Sequence, residues 1–275
     1  MIINSIDNKC VLNISVIRNN GQSYNVDISL RLDDAETDTN IEFSTTTCLY
    51  LRDLQYILKC YQEISQEKSS FGFTSCDQTI NFWVTGTDFI HKMILRDKRY
   101  NSDFASQCKL SFQIQSNLPL QLCDRIDNVP IGNLKKEFKT DNNDLFSICF
   151  PCLVEYVDID LCVCKIDIKS SYYHITRKFD SSYSEIESLK EKIADFKSGR
   201  IQNFYILGDF LEINFLRFEN SIDIQGEISD FTWPNPNEIK FHELVSMNIL
   251  DQMHSSLETI WETIRKKEES RLGTE

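Results

Sequence analysis

No apolar run in the sequence approaches the ~20 residues that a helix needs to cross a bilayer. The opening Met1-Ile2-Ile3-Asn4 supplies neither the charged nor the apolar region of a secretion signal. Glycine and proline are scarce, at eight and five in 275 residues, whereas disulfide-rich secreted proteins are shorter and richer in both. The phosphate loop Gly-x-x-x-x-Gly-Lys is missing, and so are Gly-x-Gly-x-x-Gly and Gly-x-Ser-x-Gly. The four histidines, His91, His174, His242 and His254, are scattered. His242-Glu243 is followed by Ser246 where a zinc-protease helix needs its second histidine. No set of acid, base and nucleophile converges, so the expectation is a protein with no catalytic residues and no cofactor.

Basic residues are also in deficit. Lys and Arg number 29 against 42 Asp and Glu, a formal net charge of -13. Up to residue 140 the chain holds 15 basic and 17 acidic residues, a balance of -2; the remainder holds 14 and 25, a balance of -11. Free nucleic acid and anionic membranes, which favour basic surfaces, are therefore not expected partners.

Ten cysteines without a secretion signal suggest a cytoplasmic, reducing location with free thiols. Cys149-Phe150-Pro151-Cys152 has the spacing of redox and zinc sites. Cys162 and Cys164 follow, two apart on one strand face. Four thiolates could hold zinc if the strands form a hairpin. The apolar neighbours Ile148, Phe150, Leu153 and Val154 favour the alternative, small hydrophobic thiols packed in strands.

An internal repeat organises the chain. Phe71-Gly72-Phe73 and Ile80-Asn81-Phe82 recur 133 residues later as Phe204-Tyr205-Ile206 and Ile213-Asn214-Phe215. The helical stripe Leu54, Ile57, Tyr61, Ile64 recurs 132 later as Ile186, Leu189, Ile193, Phe196. Ile28, Leu30 and Leu32 recur 131 later as Ile159, Leu161 and Val163. The fold expected is α+β: two tandem repeats, each a mainly antiparallel sheet with an inserted helix and a C-terminal helix. Residues 1–129 form the first repeat, 130–144 a polar linker and 145–275 the strongly acidic second repeat.

In order, residues 9–32 read as a hairpin turning near Asn19-Asn20-Gly21, 41–43 as a short strand and 49–67 as a helix. Strands follow at 71–76, 79–85, 89–95 and near Leu110-Ile114, then a helix over 118–129. The second repeat reads as strands at 146–156, 159–168 and 172–178, and a helix capped by Ser182 or Ser184 that ends near Gly199. Strands at 203–207, 210–218, 221–228 and 238–242 precede a last helix carrying Leu250, Met253, Leu257, Ile260, Trp261 and Ile264. Its charged end, Arg265 to Glu275, reads as fraying.

Some residues of the second repeat resemble a known family: Tyr183, Glu185, Ile186 and Leu189 on the helix, Ile206 and Asp209 in the aromatic segment, and Trp233-Pro234 before the late strand. The first repeat has Leu49, Leu51 and Leu54 but no Trp-Pro. This order and these residues resemble the WapI-like immunity proteins of bacterial polymorphic toxin systems. The resemblance implies a non-enzymatic cytoplasmic inhibitor that binds a cognate toxin domain. An acidic protein suits a basic nuclease as partner, since opposite charge speeds encounter. The alternatives are a phage-type inhibitor of a host defence protein, or a zinc-binding scaffold built on the Cys149–Cys164 cluster.

The binding face is expected on the hairpin 211–218 and 221–228. Leu211, Ile213, Phe215, Ile222, Ile224 and Ile228 alternate toward one side; Glu212, Asn214, Asp223, Gln225 and Glu227 face the other. A two-residue turn at Glu219-Asn220 sets Glu212 opposite Glu227. The candidate partner-binding residues are Glu212, Asp223, Glu227 and Asp230, with Phe231 and Trp233 as aromatic anchors. The matching face of the first repeat, with Trp83, Ile90, Lys92 and Ile94, suits burial.

Overall fold

The computed structural model describes residues 2–19, 23–35, 38–50, 52–53, 56–57, 59–60, 70–85, 90–97, 106–113, 146–158, 161–229 and 237–272. The fold is α+β, mostly antiparallel sheet. No helix among these residues is long and apolar enough to cross a membrane. The chain divides into two compact units. The first comprises Met1–Asp33, Glu42–Thr140 and Asp230–Ile239; the second comprises Asp34–Ile41, Asp141–Ser229 and Lys240–Glu275.

The first unit contains β1 (Ile2–Asn4), β2 (Cys10–Asn19), β3 (Ser23–Asp34) and most of β4 (Thr39–Tyr50), hydrogen-bonded in that order. A second run of neighbours is β5 (Ser70–Thr74), β6 (Ile80–Thr85), β7 (Ile90–Arg96) and β8 (Gln107–Gln113). Strand period 2 is visible in burial: Val26, Ile28, Leu30 and Leu32 are buried and their neighbours are not. β1–β2 and β5–β6 turn through the same chemistry. In each a buried serine, Ser5 or Ser75, accepts a backbone N–H through its hydroxyl, from Cys10 (2.9 Å) or Ile80 (3.0 Å). An aspartate two residues on, Asp7 or Asp77, accepts the serine hydroxyl and a backbone N–H.

β4 corrects the sequence reading. It is a twelve-residue strand rather than a short one at 41–43, and Leu49 lies in it instead of opening a helix. The β-branched run Thr45-Thr46-Thr47 sustains the pleat. Helical residues begin at Arg52-Asp53 and include Tyr56, Ile57, Lys59 and Cys60. The expected helix over 118–129 and the linker over 130–144 lie outside the described residues.

The second unit contains β9 (Ser147–Asp158), β10 (Leu161–Lys169) and β11 (Tyr173–Ser181) as one antiparallel run. α1 (Tyr183–Ser198) follows. Ser182 and Glu185 form a reciprocal capping box at its start, and Gly199 closes it at φ 81°, a left-handed conformation suited to glycine. The buried stripe is Ile186, Leu189, Ile193 and Phe196. Then come β12 (Asn203–Gly208), β13 (Leu211–Phe218), β14 (Ser221–Ser229) and β15 (Glu238–Ser246), again hydrogen-bonded in chain order. β15 extends beyond the expected 238–242 because Phe241, Glu243 and Val245 keep alternating inward.

α2 (Ile249–Leu272) runs through Arg265 to Leu272, where fraying was expected. Its i,i+4 pairs Arg265–Glu269 and Glu262–Lys266 support that last stretch. α2 packs along β9, and Ser256 Oγ accepts the Phe150 N–H at 3.1 Å. α1 and α2 are joined by Lys190, whose ammonium pairs with Glu258 at 2.6 Å and sits 4.3 Å from the Trp261 ring.

Candidate functional site

β13 and β14 place Glu212, Asp223 and Glu227 as the sequence alternation dictates. Leu211, Ile213, Phe215, Ile222, Ile224 and Ile228 are all buried. The turn Glu219-Asn220 has two residues, with Glu219 at φ 53°, and Phe218 pairs with Ser221. Glu212 is therefore directly opposite Glu227, Asn214 opposite Gln225 and Leu216 opposite Asp223. Two like charges in that relation destabilise the sheet by a few tenths of a kcal/mol.

The face is not uniformly acidic. Lys240 on β15 reaches Glu227 at 3.1 Å, and His242 contacts Asp223. Both partners in the Lys240 pair are about half exposed, so its worth is below about 1 kcal/mol. Gln225 also donates to Asp223 at 3.0 Å. Glu212 makes no ion pair among the described residues and is exposed. Asp230, Phe231 and Trp233 lie outside the described residues.

β12 borders this face. Tyr205 pairs with Asn214 and Leu207 with Glu212, and both side chains are exposed, at 54% and 60%. Neither was singled out as a site residue. A strand apolar on both faces, Phe204-Tyr205-Ile206-Leu207, reads as buried on both. Tyr205 and Leu207 lie on the same solvent-facing side of the sheet as Glu212 and Glu227, which leaves that apolar face in water.

The tip between β12 and β13 is fixed from inside the unit. Arg177 on β11 is 4% exposed and donates to the carbonyls of Asp209 (2.9 Å) and Ser229 (2.8 Å). Its guanidinium also lies over the Phe210 ring, 5.7 Å from the centroid. Phe210 holds φ 59° there, a conformation that bulky residues rarely adopt.

A search among protein families, curated proteins and solved structures finds no match to this chain.

Register decides how the thiols are arranged. Cys162 and Cys164 are buried on β10, with sulfurs 3.9 Å apart. The hydrogen shared with Cys162, together with burial, pushes the Cys164 thiol well above its ordinary value. Cys149 and Cys152 pair with Asp167 and Lys165, which belong to the opposite, half-exposed face of β10. A four-thiolate centre needs all four sulfurs on one side, and among the described residues no group of three or more His, Cys, Asp or Glu gathers. A groove between α1 and α2, lined by Lys197, Asp251 and His254, holds charges already engaged with each other, Lys197 with Asp251.

The other residues quoted for the family resemblance have structural tasks where they are described. Glu185 completes the capping box, and Ile186, Leu189 and Ile206 are buried. Tyr183 stacks on Trp261 at 6.3 Å. In the first unit, Trp83 is 41% exposed, so the burial expected for that face does not hold at its aromatic centre. Gly72, its cross-strand partner, leaves the room in which the indole lies, since a Cβ there would stand 2.7 Å from Trp83 Cδ1.

Proposed function

We propose that this protein is a non-enzymatic, cytoplasmic immunity protein that neutralises a basic toxin domain, a nuclease being the simplest case, by binding it through the outer face of β12–β15. One observation carries the reading: Glu212 stands in register with Glu227 on an exposed sheet face and, unlike Glu227, makes no ion pair among the described residues. That placement costs folding energy that a basic partner recovers. The acidity of the second half, -11 against -2, adds long-range attraction of the same sign.

The two units are, in this reading, tandem copies. Support comes from element order. β2-β3-β4, a helical stretch and β5 to β8 are followed by β9-β10-β11, α1 and β12 to β15. Their hairpins differ in one respect. Phe73 pairs with Phe82, whereas Ile206 pairs with Ile213. The first turn is thus two residues longer, and the constant offset of 133 read from sequence gives way to 131 across it. A superposition of β5–β8 on β12–β15 with β6 shifted by that amount is expected. Failure to superpose would remove the repeat.

The function is tested by charge reversal. Glu212→Lys, alone and with Glu227→Lys, is expected to fold normally and to slow association with a basic toxin domain at low salt. An unchanged on-rate would remove the acidic face as the docking surface.

A further inference from the structure

We propose that the outer edge of β12, which no described strand pairs with, is a strand-addition site that receives an extended, basic segment of the partner protein. The proposal rests on the reading of the neighbouring acidic face as a partner surface and assigns the anchor of that interface.

The backbone argument comes first. The Arg217 N–H donates to the Gln202 carbonyl at 2.9 Å, and the register runs on from there as Asn203 with Leu216 and Phe204 with Phe215. Antiparallel pairs alternate between hydrogen-bonded and open. The backbone groups of Phe204, Ile206 and Gly208 are therefore turned toward β13. Those of Tyr205 and Leu207 point the other way, and no strand among the described residues takes them.

The side chains make the same edge adhesive. Tyr205 and Leu207 are among the most exposed large apolar residues described. Sheet edges are ordinarily covered or blunted. The same unit does cover β9: α2 lies along it, and Ser256 takes the Phe150 N–H. At β12 the exposed face of Tyr205 meets Lys192 of α1, whose ammonium rests 5.5 Å from the ring. A single exposed lysine discourages chance pairing and swings aside at little cost.

Charge selects the occupant. Leu207 is opposite Glu212, Glu212 is opposite Glu227, and exposed Asp209 lies just beyond the strand end. An added strand would align its own residues beside Tyr205 and Leu207, with lysine or arginine side chains long enough to reach Glu212. Main-chain bonds would give affinity and the alternate side chains specificity. A second copy of this chain is disfavoured, because pairing β12 with itself brings two such acidic faces, on chains of net charge -13, into one sheet.

The test uses the full chain, with a short synthetic peptide of alternating lysine and valine as probe and alternating glutamate and valine as control. In the free protein the Tyr205 and Leu207 amides are expected to exchange about tenfold or more faster than those of Phe204 and Ile206. The lysine peptide slows them and the glutamate peptide does not. Leu207→Pro removes an N–H that β13 does not use, so folding is kept and peptide binding is lost. Should that variant unfold, Leu207→Lys leaves the backbone intact and is expected to weaken lysine-peptide binding about tenfold. Slow exchange of Tyr205 and Leu207 in the free chain, or undiminished binding by a folded Leu207 variant, overturns the proposal. Loss of binding with Leu207→Pro but not with Glu212→Lys upholds strand addition and sinks the acidic face. The converse sinks strand addition alone.

Discussion

Gly226 and Asp77 illustrate how much single positions decide. A Cβ on Gly226 would lie 1.9 Å from Phe241 Cζ, and that ring is itself held against Tyr173, 5.6 Å between centroids. Tyr173 in turn donates to buried Glu243 at 2.7 Å. The ring has nowhere to go. Gly226→Ala is therefore expected to lower stability by about 1–3 kcal/mol or more, read as a drop in denaturation midpoint. At Asp77, burial works to raise the carboxyl, but hydrogen bonds from Ser75, Thr79 and Thr47 outweigh it and hold it below its ordinary 3.8. A depressed folded value means the stabilisation is present above about pH 3.8 and is lost as pH falls below it. Asp77→Asn is expected to flatten the pH dependence of unfolding in that acid window and to leave the shape near neutrality alone. If wild type and variant lose stability in parallel there, the turn is not held by this carboxylate.

Elements were legible where local signals agree. Gly199 after the apolar stripe marked the end of α1, and the sequence left Ser182 or Ser184 as its cap; the reciprocal bonds with Glu185 select Ser182. Ser182→Ala is expected to cost about 1 kcal/mol, measured by thermal or denaturant unfolding; no loss would mean Glu185 alone holds the helix start. The alternation likewise foretold that Leu211, Ile213, Phe215, Ile222, Ile224 and Ile228 share the buried face of that hairpin. β4 was not legible. Leu49 continues a helical spacing with later residues, but pairing within the sheet overrides that periodicity through Tyr50. Tyr205 and Leu207 were missed for a different reason. Alternation reports which residues share a face, and only the strand order tells that β12 has a single neighbour among the described strands. Lys240, which pairs with Glu227, and His242, which contacts Asp223, come from the following strand, so the alternation within β13 and β14 does not reveal them.

For the molecule as a whole, net charge bears on encounter rather than on fold. Association with a basic partner is expected to slow steeply as ionic strength rises through the range where the screening length falls to about 10 Å, with dissociation changing little. A flat on-rate across that range would show that the acidic balance serves solubility alone. The cover over β9 has a further consequence, in time. α2 begins 91 residues after β9 ends. At about 5–20 residues per second of synthesis, the strand waits on the order of 5–20 s before Ser256 exists to take the Phe150 N–H. During that interval β9 is an uncapped edge beside other nascent chains. A chain stopped after Ser246 makes the interval permanent. It is expected to pass into aggregates even though every described strand has been synthesised.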